Sequence, residues 1–365
     1  MTERGTIDRV DEILNKRLEG SRISVAEAVA LFSCDLLRLG KAADQLTRQL
    51  HPKPLRTFII DRNISYTNAC IIDCDFCAFY RRPGDPEAYT LSMEEVLHKV
   101  DELAKVGGTQ VLIQGGVNPK LPLEFYLDMI RTIKREFPQI AIHSFSVVEI
   151  DFIAKKEKLP LREVLLRFKE AGLNSIPGGG AEILVERVRD KISPKKIDSD
   201  GWIHFMRTAH EAGLRSTATM VFGHLETLEE RVLHLERVRN LQDETRGFRA
   251  FICWTLSPHG TPRMSHFRQA GGEDYLRTLA VSRLFLDNVE NIQSGWLTEG
   301  TKIGQVALGF GANDMGGTLL EDKVLEPTGM SASHVRGEDL IRLIREAGYV
   351  PAQRNTNYEI LQVFN

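Results

Sequence analysis

From residue 55 onward, short apolar runs alternate with longer amphipathic stretches, and no other feature of the chain limits its fold so strongly. The runs 57–64, 110–115, 140–146, 174–178, 216–222, 248–254, 291–296 and 308–313 read as strands. The stretches between them carry helix signals. Ser92 stands three residues before Glu95, and Val96, Val100, Leu103 and Val106 then share one face until Gly107 and Gly108 stop the helix. Thr227 and Glu230 repeat this device ahead of Val232, Leu235, Val238 and Leu241. An alternation of this length predicts an α/β fold, a parallel sheet closed as a TIM-type (β/α)₈ barrel.

Before the alternation, 6–18 and 23–49 carry apolar residues at helical spacing, with Ser24 and Glu27 as a capping box, and Pro52 and Pro54 end the region. After it come a helix over 337–347 and an extended segment. The expected division is a helical N-terminal extension (1–54), a barrel (55–315) and a C-terminal segment packing on it (316–365). Hydrophobic residues at 42% and charged residues at 27% supply a large core and exclude a disordered chain.

Charge removes two function classes. Lys and Arg total 47 against 50 Asp and Glu, a net −3, so no basic excess marks a nucleic-acid binder or a membrane-surface protein. The apolar runs are too short to span a bilayer, and MTERGTIDRVDEI lacks the apolar segment of a signal peptide. A cytoplasmic globular protein with no membrane insertion is the expectation.

Barrel chemistry sits at the C-terminal ends of the strands. Polar and glycine-rich runs fall there: a cysteine loop after the first strand, Gln114-Gly115-Gly116, His143 to Ser146, Pro177 to Gly180, Gly223-His224 and Asn313-Asp314. Ordinary βα turns also favour such residues. Their coincidence with the cysteine loop gives them weight, and they are expected to face one cavity.

Of five cysteines, Cys70, Cys74 and Cys77 crowd into eight residues, while Cys34 lies in a helical pattern and Cys253 in a strand pattern. The odd count and the crowding favour metal or redox chemistry over a disulfide framework. Three thiolates do not complete a tetrahedral structural zinc site or a four-cysteine ferredoxin set. Around a four-iron cube they leave one iron open. A zinc site completed by a distant histidine is the alternative.

The run CIIDCDFC carries the CxxxCxΦC signature of the radical S-adenosylmethionine (SAM) enzymes, with Phe76 at the aromatic position. The resemblance extends over nearly the whole chain. FIIDRNISYTNAC, FCAFYRRPGDPEAY, IPGGGAEILVERVRDKISPKK, ATMVFGHLETLEERV, LQDETRGFRAFICW, GANDMGGT and GYVPAQRNTNYEIL are similar to segments of the dehypoxanthine futalosine cyclases of menaquinone biosynthesis. Aminofutalosine synthases and deazaflavin synthases share the GGGAEI-like and GHxET-like segments. The PGDPEAY run, Trp254 at the end of the sixth strand, and SGWLTEG followed by GANDMGGT favour the cyclase, although Cys253 stands where that pattern has Pro.

The resemblance implies a [4Fe-4S] cluster on Cys70, Cys74 and Cys77, with SAM on the open iron and an external one-electron donor of flavodoxin or ferredoxin type. It implies SAM contacts from Gly115 and Gly116, from Ser146, from Glu182 to the ribose hydroxyls, and from Lys195 or Lys196 to the carboxylate. Phe76, Phe79 and Tyr80 would pack on adenine. The implied substrate, dehypoxanthine futalosine, is a ribose with a carboxyphenyl ketone arm and no purine. Arg62 and Arg354 are candidates for its carboxylate, with Trp254 and Asn313 as further contacts. Ring closure requires a base, for which His143, Glu149, His224 and Asp314 are candidates. A lone barrel histidine more often serves as a structural hydrogen bonder.

Overall fold

The computed structural model describes residues 3–329 and 335–365. Three helices come first: α1 (Glu3–Leu18), α2 (Val25–Leu31) and α3 (Leu36–Leu50). The stretch 23–49, with apolar residues at helical spacing, forms two helices, because the Asp35 carboxylate accepts from the Arg38 N–H at 2.9 Å and caps a new start.

The first barrel strand comes in two consecutive pieces, β1 (Leu55–Ile59) and β2 (Asp61–Ser65). Then follow α4 (Met93–Lys105), β3 (Gln110–Gln114), α5 (Leu123–Glu136), β4 (Ala141–Ile142), α6 (Val147–Glu157) and α7 (Leu161–Ala171). The second half comprises β5 (Ser175–Ile176), α8 (Glu186–Ile192), α9 (Ser199–Glu211), β6 (Arg215–Phe222), α10 (Leu228–Thr245), β7 (Phe248–Thr255), α11 (Gly272–Phe285), β8 (Asn291–Gln293), α12 (Trp296–Ala307) and β9 (Asp314–Gly317). Strands β2, β3 and β4 pair in parallel, and a parallel bridge from His143 to Ser175 carries the sheet on to β5. From β5 the pairing runs in parallel through β6, β7, β8 and β9 to β1. Since β1 continues into β2, the ring closes as the expected (β/α)₈ barrel.

The capping boxes read from sequence all form, at Ser24–Glu27, Ser92–Glu95 and Thr227–Glu230, and Ser146–Glu149 adds another. The apolar faces behind them are buried, at Val96, Val100 and Leu103 and at Val232, Leu235, Val238 and Leu241. Val106, the last of its set, is the exposed C-cap of α4.

The eighth strand lies later than its expected place at 308–313. There the chain is still turning out of α12: the N–H groups of Leu308, Gly309 and Phe310 donate to Gln305, Val306 and Ala307 carbonyls. Leu308 and Ala312 are buried at this helix end, and a short apolar run does not distinguish a strand from a buried helix terminus.

The C-terminal segment contains α13 (Gly337–Glu346), β10 (Val350–Arg354) and β11 (Ile360–Val363). β10 pairs in parallel with β1, on the edge that β2 gives to β3. The first strand therefore forks its pairing, and the turn after β10 brings Arg354, Thr356 and Tyr358 to the wall of the barrel cavity. Among the described residues no helix is long and apolar enough to cross a membrane.

Candidate active site

The loop between β2 and α4 carries the three crowded cysteines, and its backbone is fixed by its neighbours. The N–H of Cys70 donates to Arg81 at 2.8 Å, that of Ile71 to Val117 at 3.1 Å, and that of Asp75 to Ile192 at 2.9 Å. Asp73 turns the chain between Cys70 and Cys74 with φ of 45°. Gly116 lets the loop after β3 press against this one: a Cβ there would stand 2.3 Å from the Ala69 carbonyl oxygen and 2.8 Å from the Cys70 Cβ. Glycine at 116 is thus required by the packing of two loops, whatever ligand lies beyond them.

Cys70, Cys74 and Cys77 line one cavity of about 280 Å³. Burial pushes the Cys74 thiol up to about 12 and raises that of Cys77. Cys34 and Cys253 are buried elsewhere and do not line it. Among the described residues no three His, Cys, Asp or Glu side chains converge as a single metal ion requires. A four-iron cube takes each thiolate on a different iron, so its ligands stand apart around a shared space. Three thiols facing one cavity fit that demand better than they fit a mononuclear zinc centre.

The rest of this cavity holds most of the residues the sequence pointed to. Phe76, Phe79, Tyr80, Gly115, Gly116 and Ser146 all line it. Glu182, buried and held at φ of 42°, pairs with Lys196, whose ammonium also lies 4.9 Å from the centre of the Phe76 ring. Burial opposes charge on both partners. Lys196 nonetheless holds the Glu182 carboxyl below its usual range, while Cys74 and Glu182 hold Lys196 above its own. Lys195 points away instead, to Asp73 at 2.9 Å, and is more than half exposed. Of the two adjacent lysines, only Lys196 reaches the cavity.

Glu149 closes one wall. It accepts from the Tyr66 hydroxyl at 2.8 Å, the Gly115 N–H at 3.1 Å, and the Ser146 N–H and hydroxyl at 2.7 Å each. Burial outweighs these bonds and lifts its carboxyl to about 7.

A second cavity, about 300 Å³, occupies the barrel interior and shares Gln114, Gly179 and Trp254 with the first. His143 lines it, with Nδ1 2.6 Å from the Ser175 hydroxyl. Burial, then the charges of Arg249 and Arg354, push this imidazole well below its usual range, so it is neutral at pH 7. Arg354 also lines the cavity, but Asp314 grips it in a two-point pair at 2.5 and 3.0 Å.

Besides Lys195, four expected site residues lie away from both cavities. Arg62 is tied to Glu102 and Glu321 at 2.5 and 2.9 Å, outside the barrel wall. Asn313 accepts from Arg283 and donates to Asn291, both structural partners. His224 is buried in the turn after β6, with Nε2 3.0 Å from the Val221 carbonyl and Nδ1 3.1 Å from Glu226. Asp314 is fully buried behind Arg354, accepts from the Thr57 hydroxyl at 2.5 Å and from the Gly316 N–H at 2.8 Å, and lines neither cavity. Polar residues at strand ends serve either face of a turn, and the sequence does not separate the two.

Sequence reasoning missed Arg249, Asp61 and Tyr358, all on the barrel cavity wall. Arg249 had a legible signal, since a charged residue inside the run FRAFICW is rarely buried without purpose.

A (β/α)₈ barrel with a three-cysteine loop at the C-terminal end of its first strand defines a radical SAM protein. Comparison with known proteins agrees: residues 64–238 match the Radical SAM superfamily, and residues 245–365 match the CofH/MqnC C-terminal region. The chain is 46% identical to a cyclic dehypoxanthine futalosine synthase of Halalkalibacterium halodurans, over 97% of this chain and 96% of the relative. It is 41% identical to the protein of the same name from Streptomyces coelicolor, over 100% of this chain and 91% of the relative. An aminodeoxyfutalosine synthase of Thermus thermophilus is 39% identical, over 98% of this chain and 97% of the relative. Among solved structures, methylornithine synthase shares the fold with a TM-score of 0.74 at 20% identity, covering 93% of this chain and 97% of that one. The chain belongs to the radical SAM superfamily and, within it, to the family of the cyclic dehypoxanthine futalosine synthases.

Proposed function

We propose that this enzyme converts dehypoxanthine futalosine to its cyclic form. The observation that carries the reading is the junction of the two cavities at Gln114, Gly179 and Trp254, which sets a cysteine-lined chamber beside the barrel chamber. Cys70, Cys74 and Cys77 would hold the [4Fe-4S] cluster. Phe76, Phe79 and Tyr80 would pack on the adenine of SAM, Glu182 would take its ribose hydroxyls, and Lys196 its carboxylate. When bound, cluster and SAM would supply a 5′-deoxyadenosyl radical, a hydrogen abstractor directed at the 4′ carbon of the substrate ribose.

The substrate would lie in the barrel chamber, with Trp254 at the boundary between the two ligands. Closing the ribose on the arene leaves one ring hydrogen to be lost as a proton while an electron departs. Of the four candidate bases, His143 is the neutral acceptor that faces this chamber, and Ser175 fixes its ring orientation. Glu149 faces the cysteine chamber and is engaged by four donors, which suits it to holding the loop after β3. The electron that cleaves SAM would come from an external one-electron donor of flavodoxin or ferredoxin type, and the electron released at ring closure would pass back to the oxidised form of that carrier.

The 39% identity to an aminodeoxyfutalosine synthase motivates a second reading, in which the adenosyl group is added to the substrate. Anaerobic turnover with product analysis separates the two. Free 5′-deoxyadenosine with a cyclic product is expected, whereas a covalent adenosyl adduct would establish the second reading.

Glu182 supplies a narrower test. Glu182→Gln is expected to weaken SAM binding by about 1–2 kcal/mol, the scale of one charge-assisted hydrogen bond, with the iron content unchanged. SAM affinity measured by calorimetry on the reconstituted protein checks this. An unchanged affinity would leave Glu182 only the task of holding Lys196.

A further inference from the structure

Arg249 stands on the wall of the barrel cavity in a setting unlike that of any other arginine there. It is the second residue of β7 and only 4% exposed. Its Nη1 donates to the Asn357 side-chain oxygen at 2.9 Å, and its buried Nε has no partner. Among the described residues no carboxylate pairs with it, and the charges acting on it at neutral pH are those of two cations, Arg215 and Arg354. Arg354, on the same wall, is neutralised by Asp314.

The two acidic residues on the wall are committed elsewhere. Asp61 accepts from the Leu319 N–H at 2.9 Å and from Gln110 at 3.2 Å. Asp322 accepts from the N–H groups of Val324 and Leu325 at 2.9 and 2.8 Å. Burial, with Arg215 and Arg354 adding to it, pulls the Arg249 guanidinium down to about 9, so it keeps its charge at neutral pH. A buried cation without a counter-ion is unfavourable, and the arrangement persists most easily where a ligand supplies the anion.

We infer that Arg249 is the anchor for the carboxylate on the aryl arm of the substrate, which its planar fork engages at two points. The inference rests on the proposed cyclase reading and adds an orientation to it. Arg249 lies five residues before Trp254 on β7, roughly 16 Å at strand rise. The carboxylate would then sit at the foot of the barrel, and the sugar at the junction with the cysteine chamber, where the radical is formed. The two-point geometry also makes this residue a determinant of specificity for an acid over its neutral analogues.

The test compares dehypoxanthine futalosine with its carboxamide analogue on the reconstituted holoenzyme. The wild type is expected to favour the acid by about 30-fold in kcat/KM, and Arg249→Gln to lose that preference to within about 3-fold, mainly through KM, with SAM affinity and iron content unchanged. Arg249→Lys, which keeps the cation but not the fork, is expected to keep a preference for the acid at reduced affinity, and it carries the test if the glutamine variant does not fold. An equal loss toward acid and amide, or a preference that survives in Arg249→Gln, would overturn the inference while the wild type still makes cyclic product. A wild type that makes no cyclic product from the acid would overturn the underlying reading and the inference with it.

Discussion

Replacing any one of Cys70, Cys74 and Cys77 by alanine is expected to abolish both the reconstituted iron and all SAM-dependent turnover. The three thiols line one cavity on a loop whose backbone is fixed at Cys70, Ile71 and Asp75. That loop has no fourth cysteine to substitute, because Cys34 lies at the turn between α2 and α3 and Cys253 within β7. Two remaining thiolates would leave half of the irons without a protein ligand, which is a loss of the site and no mere weakening. The backbone bonds that hold the loop do not pass through the thiols, so each variant is expected to remain folded. Cys34→Ser and Cys253→Ser are expected to keep full iron content and the reduced-cluster spin signal. Loss of the cluster in Cys253→Ser would refute the three-cysteine assignment.

The second large effect concerns stability. Arg354→Met removes the partner of a fully buried carboxylate, Asp314, which then keeps only the Thr57 hydroxyl and the Gly316 N–H. Stranding one charge of a buried pair costs about 3–5 kcal/mol, more than most single substitutions. The melting temperature should fall by several degrees, and the double variant Arg354→Met with Asp314→Leu should recover most of the loss. Thermal unfolding followed by circular dichroism reads both. A single variant as stable as the wild type would show that the pair does not lock β10 to β9.

The barrel was legible because the signals that specify it are local. Capping boxes at Ser92 and Thr227 start helices wherever they stand, and the apolar faces behind them admit one burial. The eighth strand was misplaced because 308–313 is apolar for a different reason, as the buried end of α12. The fork of the first strand between β3 and β10 was illegible, since pairing between residues 55–58 and 350–353 is a property of the closed ring and of no local pattern.

The site divides in the same way. The cysteine chamber could be read because its residues cluster in the loops that follow β2, β3, β4 and β5, with Lys196 beyond them. The barrel chamber is assembled from single side chains on many strands, and there a residue's inward or outward aim decides its role. Arg62 and Arg354 looked alike in sequence, yet one is tied to surface carboxylates and the other faces the interior. Arg249 was overlooked because its significance lies in what it lacks: an acidic partner.

The central claim is that a radical generated at the cysteine chamber acts on a ribose held in the barrel chamber. Substrate carrying deuterium at the 4′ carbon tests it most directly, because hydrogen abstraction requires the target within van der Waals reach of the adenosyl carbon. Mass spectrometry of the released 5′-deoxyadenosine should show deuterium transferred in step with cyclic product. Turnover to product with the deuterium fully retained, or an adenosyl adduct in place of free 5′-deoxyadenosine, would contradict the account.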